Sequence, residues 1–216
     1  GMRRAEGTVR KVRRWLAAGV VLVSAGPAAA ETVHFAVVGD TQGWTWGVNT
    51  LVFPAIVEQV LAAEPTIEFV VVVGDLVAGT HDEAAGSDLL AQWARWRDAA
   101  GPWYRSAMTG LKVYPVPGNH DLYGPGADGE LWRRTFPELP ENGPAGEKRL
   151  TYSFDAGPVH LALVSTSAPG RRHLVDLDWL ARDLESSEQP VKLVFGHEPA
   201  FPLFGAERRG APVAAF

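Results

Sequence analysis

The stretch from Ile67 to Val73 reads IEFVVVV and leaves the chain few options. A run this apolar and β-branched, with almost no alternation of polar side chains, suits a strand covered on both faces, as in a parallel sheet. Parallel strands need long crossovers, usually helical, and the neighbouring sequence supplies them. Val33 to Val38 (VHFAVV) and Leu111 to Val116 (LKVYPV) are further strand-like runs. Between the first two, Leu51, Val52, Ala55, Ile56, Val60 and Leu61 recur at three and four residues across Thr50 to Ala63. That is helix spacing, and Pro54 suits a first turn, so a helix is expected to start near Phe53. Between the second and third, Ser87 to Ala99 carries Leu89, Leu90, Trp93 and Trp96 and is expected to be helical.

The second half is patterned differently. A short helical piece is expected around Leu131 to Phe136, followed by a turn-rich connector (137–149). Thr151 to Asp155 and Val159 to Val164 flank Ala156-Gly157-Pro158, the pattern of a β-hairpin. Val175 to Ser186 is amphipathic, built on Leu177, Trp179, Leu180 and Leu184, and Val191 to Phe195 is a last strand. Strands alternating with helices, then a hairpin, imply an α/β domain with a mixed sheet or two packed sheets.

Residues 1–30 stand apart from this pattern. Six basic residues (Arg3, Arg4, Arg10, Lys11, Arg13, Arg14) precede the apolar WLAAGVVLVSAG, which ends near Ala28-Ala29-Ala30. Basic head, short apolar middle and small-residue end describe a secretory signal peptide, with export to the periplasm or the extracellular space as the expectation. The apolar run is too short for a spanning helix, so no transmembrane anchor is expected after cleavage. Without this leader the chain keeps 14 basic against 24 acidic side chains, from totals of 20 and 25. Such an acidic body matches nucleic-acid polymers poorly. Cysteine is absent, which removes disulfides and thiolate metal sites from consideration.

Four strand ends share one grammar, glycine followed by a hard, metal-friendly side chain. They are Gly39-Asp40, Gly74-Asp75, Gly118-Asn119-His120-Asp121 and Gly196-His197. Any one alone is an ordinary turn. Four at the carboxyl ends of strands, where open α/β sheets bind ligands, point to one shared site. Carboxylates, amide oxygen and imidazole suit Mn, Fe, Zn or Mg.

In order, GDTQ, VVVGDL, VPGNHD and VFGHEP resemble the successive metal-site motifs of calcineurin-like metallophosphoesterases, from about residue 33 to 204. The resemblance implies a two-sheet sandwich flanked by helices, a four-layer α/β/β/α arrangement, in a domain over 31–216. It also implies two divalent metal ions at the strand ends. Asp75 would bridge them, Asp40 would bind the first, and Asn119 and His197 the second. His120 would act on the leaving group or the phosphoryl oxygens, and Asp121 would orient His120. The implied reaction is hydrolysis of a small phosphate ester, monoester or diester, by a metal-bound hydroxide.

Two departures from the family pattern qualify this. Many members carry Asp-x-His at the first motif, where this chain has Asp40-Thr41-Gln42. Gln42 is a candidate ligand through its carbonyl oxygen, and a weaker one than histidine. The family also closes its site with Gly-His-x-His beyond the Gly-His step, and none stands between His197 and Phe216. The domain is therefore expected to be incomplete at its C-terminus, with the second metal bound better than the first and reduced activity. The rival reading is a non-catalytic binding or scaffold module with a degraded metal site.

Further candidates surround the motifs. Trp44 and Trp46 in GWTWG could rim the site for a flat group, and His81 could line the cleft. Arg171 and Arg172, with His173, sit in a loop after a strand where a cation could meet substrate phosphate. His34 and His160 lie in strand-like runs and are expected to be structural, and Glu198 with Pro199 to shape the turn after His197.

Overall fold

The computed structural model describes residues 32–43, 47–79, 86–105, 111–122 and 129–199. Residues 1–31 (which include the expected signal peptide), Trp44, Trp46, His81 and the tail from residue 200 lie outside the described residues. No helix among those described is long and apolar enough to cross a membrane.

Two three-stranded sheets form the centre. In the first, β1 (Phe35–Val38), β2 (Phe69–Val73) and β3 (Lys112–Val116) lie side by side, all parallel. In the second, β4 (Tyr152–Ala156) runs antiparallel to β5 (Val159–Val164), and β6 (Val191–Gly196) runs parallel to β5. The four glycine-ended strands therefore divide, three in one sheet and β6 in the other. Helices α1 (Phe53–Leu61) and α2 (Gly86–Ala99) are the crossovers of the first sheet. Between α2 and β3 lies a short α3 (Gly101–Arg105), which the sequence pattern did not suggest because Gly101-Pro102 reads as a break. Proline is tolerated in a first helical turn, where its missing N–H costs nothing. Helix α4 (Glu130–Thr135) precedes the connector, and α5 (Leu177–Ser186) joins β5 to β6.

The sheets meet through aromatic side chains. Phe69 of β2 stands edge-on to Phe154 of β4 (5.6 Å), and Phe154 stacks on Tyr114 of β3 at 3.8 Å. Phe35 of β1 meets Phe195 of β6 edge-on at 6.1 Å. Each such pair contributes about 0.5–1.5 kcal/mol beyond its buried area. The Tyr152 hydroxyl fixes the sheets further by donating to the Pro115 carbonyl at 2.7 Å. Side chains alternate along a strand, so Val70 and Val72 point away from this seam. Both are fully buried in one cluster with Phe53 and Val57 of α1, Trp96 of α2 and Trp103 of α3. On the second sheet, Ala162 and Val164 pack with Trp179 and Leu180 of α5. Asp176 caps α5, its carboxylate accepting from Trp179 N at 2.9 Å.

His160 is structural, as its strand position suggests. Its Nδ1 lies 2.6 Å from Asp155 Oδ1 and its Nε2 2.8 Å from Asp183 Oδ2, linking β4, β5 and α5.

Candidate metal centre

Each strand of the first sheet delivers its motif at its carboxyl end, and the backbone there is unusual. Asp40 and Asp75 both take left-handed conformations, with φ of 52° and 53°. Non-glycine residues rarely adopt this region, and they hold it only where the surroundings over-determine it. Here the two turns brace each other: Asp40 N donates to Gly74 O (3.1 Å) and Gln42 N to Asp75 O (3.0 Å). Thr41 is buried beneath, its hydroxyl donating to Leu76 O (3.2 Å) and accepting from Trp96 Nε1 (3.0 Å). Sequence reading missed this brace, since nothing local relates Thr41 to Trp96.

Asp40, Asp75 and His197 converge. One ligand atom from each lies within 4.8 Å of the others, and no other group of His, Asp or Glu with metal-holding geometry occurs among the described residues. His197 arrives from the second sheet, its Nε2 3.3 Å from Asp75 Oδ2. Its Nδ1 sits 2.9 Å from the Val73 carbonyl, so Nδ1 carries the proton and donates, leaving Nε2 to face the carboxylates. A backbone carbonyl that fixes the tautomer in this way is the usual support of a metal-binding histidine. Glycine makes room for the convergence. A Cβ at Gly74 would fall 2.6 Å from the His197 ring, and one at Gly118 would overlap Asp75 Oδ1.

The electrostatics follow from these contacts. Burial pulls the His197 pKa down, but the Asp75 carboxylate, the Val73 carbonyl and the Asp40 charge more than offset it, pushing it up to about 9. Burial pushes Asp75 up, and the opposing hydrogen bond and charge of His197, with the His120 N–H, leave it below its ordinary value. Asp40 is raised, first by burial, against the pull of His197. The pair thus favours imidazolium beside carboxylate, and a metal ion bound there would take the proton's place. Two carboxylates and an imidazole form an oxygen–nitrogen donor set that fits a divalent ion.

The other predicted residues fall in different places. The Gln42 amide nitrogen donates to Asp75 Oδ2 at 3.0 Å and so steadies a carboxylate of the candidate centre. Asn119 follows Gly118 and lines a small pocket with Leu122, Ser167, Arg172 and His173. His120 donates its backbone N–H to Asp75 Oδ1 (3.0 Å), and its ring Nδ1 lies 2.7 Å from the Ala78 carbonyl. That carbonyl orients the ring, which corrects the role expected of Asp121. The Asp121 carboxylate, 3% exposed, is spent on backbone instead. Its Oδ1 accepts from Leu76 N (2.9 Å) and Val77 N (3.1 Å), and its Oδ2 from Gly118 N (2.8 Å). Burial pushes Asp121 up to about 7, with the Gly118 and Val77 donors opposing. Asp121 thereby ties the GNHD turn to the loop after β2.

Arg171, another candidate, is engaged by the fold: it pairs with Asp176 at 2.7 Å and approaches Glu147 at 3.7 Å. Glu198 does more than shape a turn, its Oε1 lying 2.7 Å from His173 Nδ1.

No curated protein sequence matches the chain. Among solved structures, a purple acid phosphatase from yellow lupin (Lupinus luteus) seeds is similar at 18% identity and a TM-score of 0.49. The match covers 76% of this chain and 32% of that one, so the chain spans about a third of the lupin protein's length. The profile of the calcineurin-like phosphoesterases matches residues 33–213, most of the sequence. Strand-end motifs in the family's order, within a match of that extent, place the chain in the calcineurin-like phosphoesterase family.

Proposed function

We propose that this chain hydrolyses a phosphate ester at a centre of two divalent metal ions, from Mn, Fe, Zn or Mg. The observation that carries the reading is the convergence of Asp40, Asp75 and His197 within 4.8 Å, from strand ends in two different sheets. In this reading Asp75 and Asp40 with His197 and Asn119 are the residues that would hold the ions, Asp75 contributing to both. The ions, when bound, supply charge neutralisation at the phosphoryl group and activation of water. The chain's own residues position and move protons around them. Gln42 and the His120 N–H hold the two oxygens of Asp75. Val73 O turns His197 Nε2 toward the centre. The Nδ1–H of His120 donates to Ala78 O, which leaves Nε2 as the ring nitrogen toward the leaving group, and it gives a proton or a hydrogen bond there when it too carries a proton.

The contacts between sheets and helices favour the four-layer arrangement for the domain over 31–216. The leader over residues 1–30 supports export to the periplasm or outside the cell. A second reading, a binding module with a weakened metal site, draws on Gln42, whose amide is engaged by Asp75. Metal analysis, with assays on a phosphomonoester and a phosphodiester, separates the two. Bound metal with turnover of either ester supports the enzyme; bound metal with turnover of neither supports the module.

A further inference from the structure

Strands β5 and β6 are parallel neighbours, with Val164 opposite Gly196, so the segments beyond them leave from one end of the second sheet. Beyond β6 come His197 and Glu198. Beyond β5 comes the loop 165–176, which is tightly determined. Ser165 N donates to Thr151 Oγ1 (3.0 Å), Arg171 N to Ala168 O (2.9 Å) and His173 N to Thr166 O (2.6 Å). The Arg171–Asp176 pair closes the loop onto the cap of α5. At its apex His173 is held at φ 61°, a left-handed conformation costly for a β-carbon-bearing residue. Its ring is fixed as well, by Glu198 on Nδ1. Strain retained under this much restraint presents a side chain in one place.

That place is the pocket shared with Asn119. Its lining is Asn119, Leu122, Ser167, Arg172 and His173, and its volume is about 20 Å³, room for one water-sized group. Four of the five residues bring polar atoms: a guanidinium, an imidazole, a hydroxyl and an amide. In a body with 24 acidic side chains against 14 basic outside the leader, a cation at this spot selects for an anion. A single oxygen fits that space.

We infer that Arg172 and His173 form a phosphoryl-oxygen subsite beside the candidate metal centre, with Glu198 as the residue that positions His173. The guanidinium supplies charge and directional donors to an oxyanion. With Nδ1–H donating to the Glu198 carboxylate, Nε2 is the ring nitrogen left to face the ligand, and it donates to a phosphoryl oxygen when it too carries a proton. Through Asn119 this inference rests on the proposed phosphoesterase reading, and its test is built to fail separately.

The test measures orthophosphate affinity by titration calorimetry on Mn²⁺-loaded protein, alongside KM and kcat for p-nitrophenyl phosphate. Arg172→Ala is expected to weaken orthophosphate about tenfold and raise KM in parallel, with Mn²⁺ content unchanged. Arg172→Lys recovers part of the loss. His173→Ala and Glu198→Gln each produce a smaller, few-fold loss. Parent protein that binds no orthophosphate, or alanine variants within twofold of the parent, overturns the subsite. Parent protein that turns over no ester yet loses orthophosphate with Arg172→Ala keeps the subsite and sinks the esterase reading.

Discussion

His197 Nε2 stands 3.3 Å from Asp75 Oδ2, although the first follows the edge strand of one sheet and the second ends the central strand of the other. The candidate centre therefore exists only while the two sheets stay packed, and removing either partner should empty it. His197→Ala is expected to lower Mn²⁺ affinity by at least the ~10–100-fold seen when a metal's outer-shell partners are lost. Metal content after dialysis, with the circular dichroism spectrum unchanged, is the measurement. Retained stoichiometry would remove His197 from the centre.

A methyl group at residue 118 is a sharper probe of the same geometry. The Cβ in Gly118→Ala would overlap Asp75 Oδ1 and come within 3.0 Å of the His197 ring. The Asp75 backbone N lies only 2.5 Å from the same position and cannot swing aside, so the cost is about 1–3 kcal/mol of stability together with metal affinity. Thermal unfolding in EDTA and in Mn²⁺ reads both. The stabilisation by Mn²⁺ should shrink in the variant.

Asp121→Asn tests the corrected role of Asp121. Its two carboxylate oxygens accept three backbone N–H groups, and an amide offers one oxygen in their place. At least one buried donor then loses its partner, at about 1–3 kcal/mol. Urea unfolding should show that loss. The His120 ring, held by Ala78 O, should keep its orientation, visible as an unchanged imidazole NMR signal.

His160 predicts a pH dependence remote from the centre. Burial alone would lower its pKa, but the hydrogen bonds and charges of Asp183 and Asp155 more than offset that and raise it. A histidine raised in the folded state contributes stability that is complete below the unfolded value near 6.5, and that is lost as pH rises through the folded value. Asp183→Asn should therefore cost most near pH 6, about 1–3 kcal/mol, and least near pH 9. Urea midpoints for parent and variant across that range test it. A gap that widens with pH would contradict the assignment.

The elements were readable because backbone periodicity is local. IEFVVVV predicted a buried parallel strand, and β2 is one, paired on both sides. Element ends moved by a residue or two where caps intervened, as at Asp176 before α5. The site was legible only as a list. Asp40, Asp75 and His197 were singled out by their place after strand-end glycines, and the structure brings these three together. Asp121 was misjudged because its neighbour in sequence, His120, seemed its natural partner. It accepts from Gly118 of its own turn and from Leu76 and Val77 of another loop.

By itself the sequence determined the main strands and helices, though not the short α3, and which polar side chains follow the strand-end glycines. Hydrophobic period and glycine placement act over a few residues, and they survive without knowledge of the rest. Only the tertiary structure decided that the four strand ends divide between two sheets, that Val73 and Ala78 carbonyls set the tautomers of His197 and His120, and that Glu198 holds His173. Those relations depend on how one sheet packs on another, and backbone carbonyls carry no mark in the sequence of the side chains they will orient.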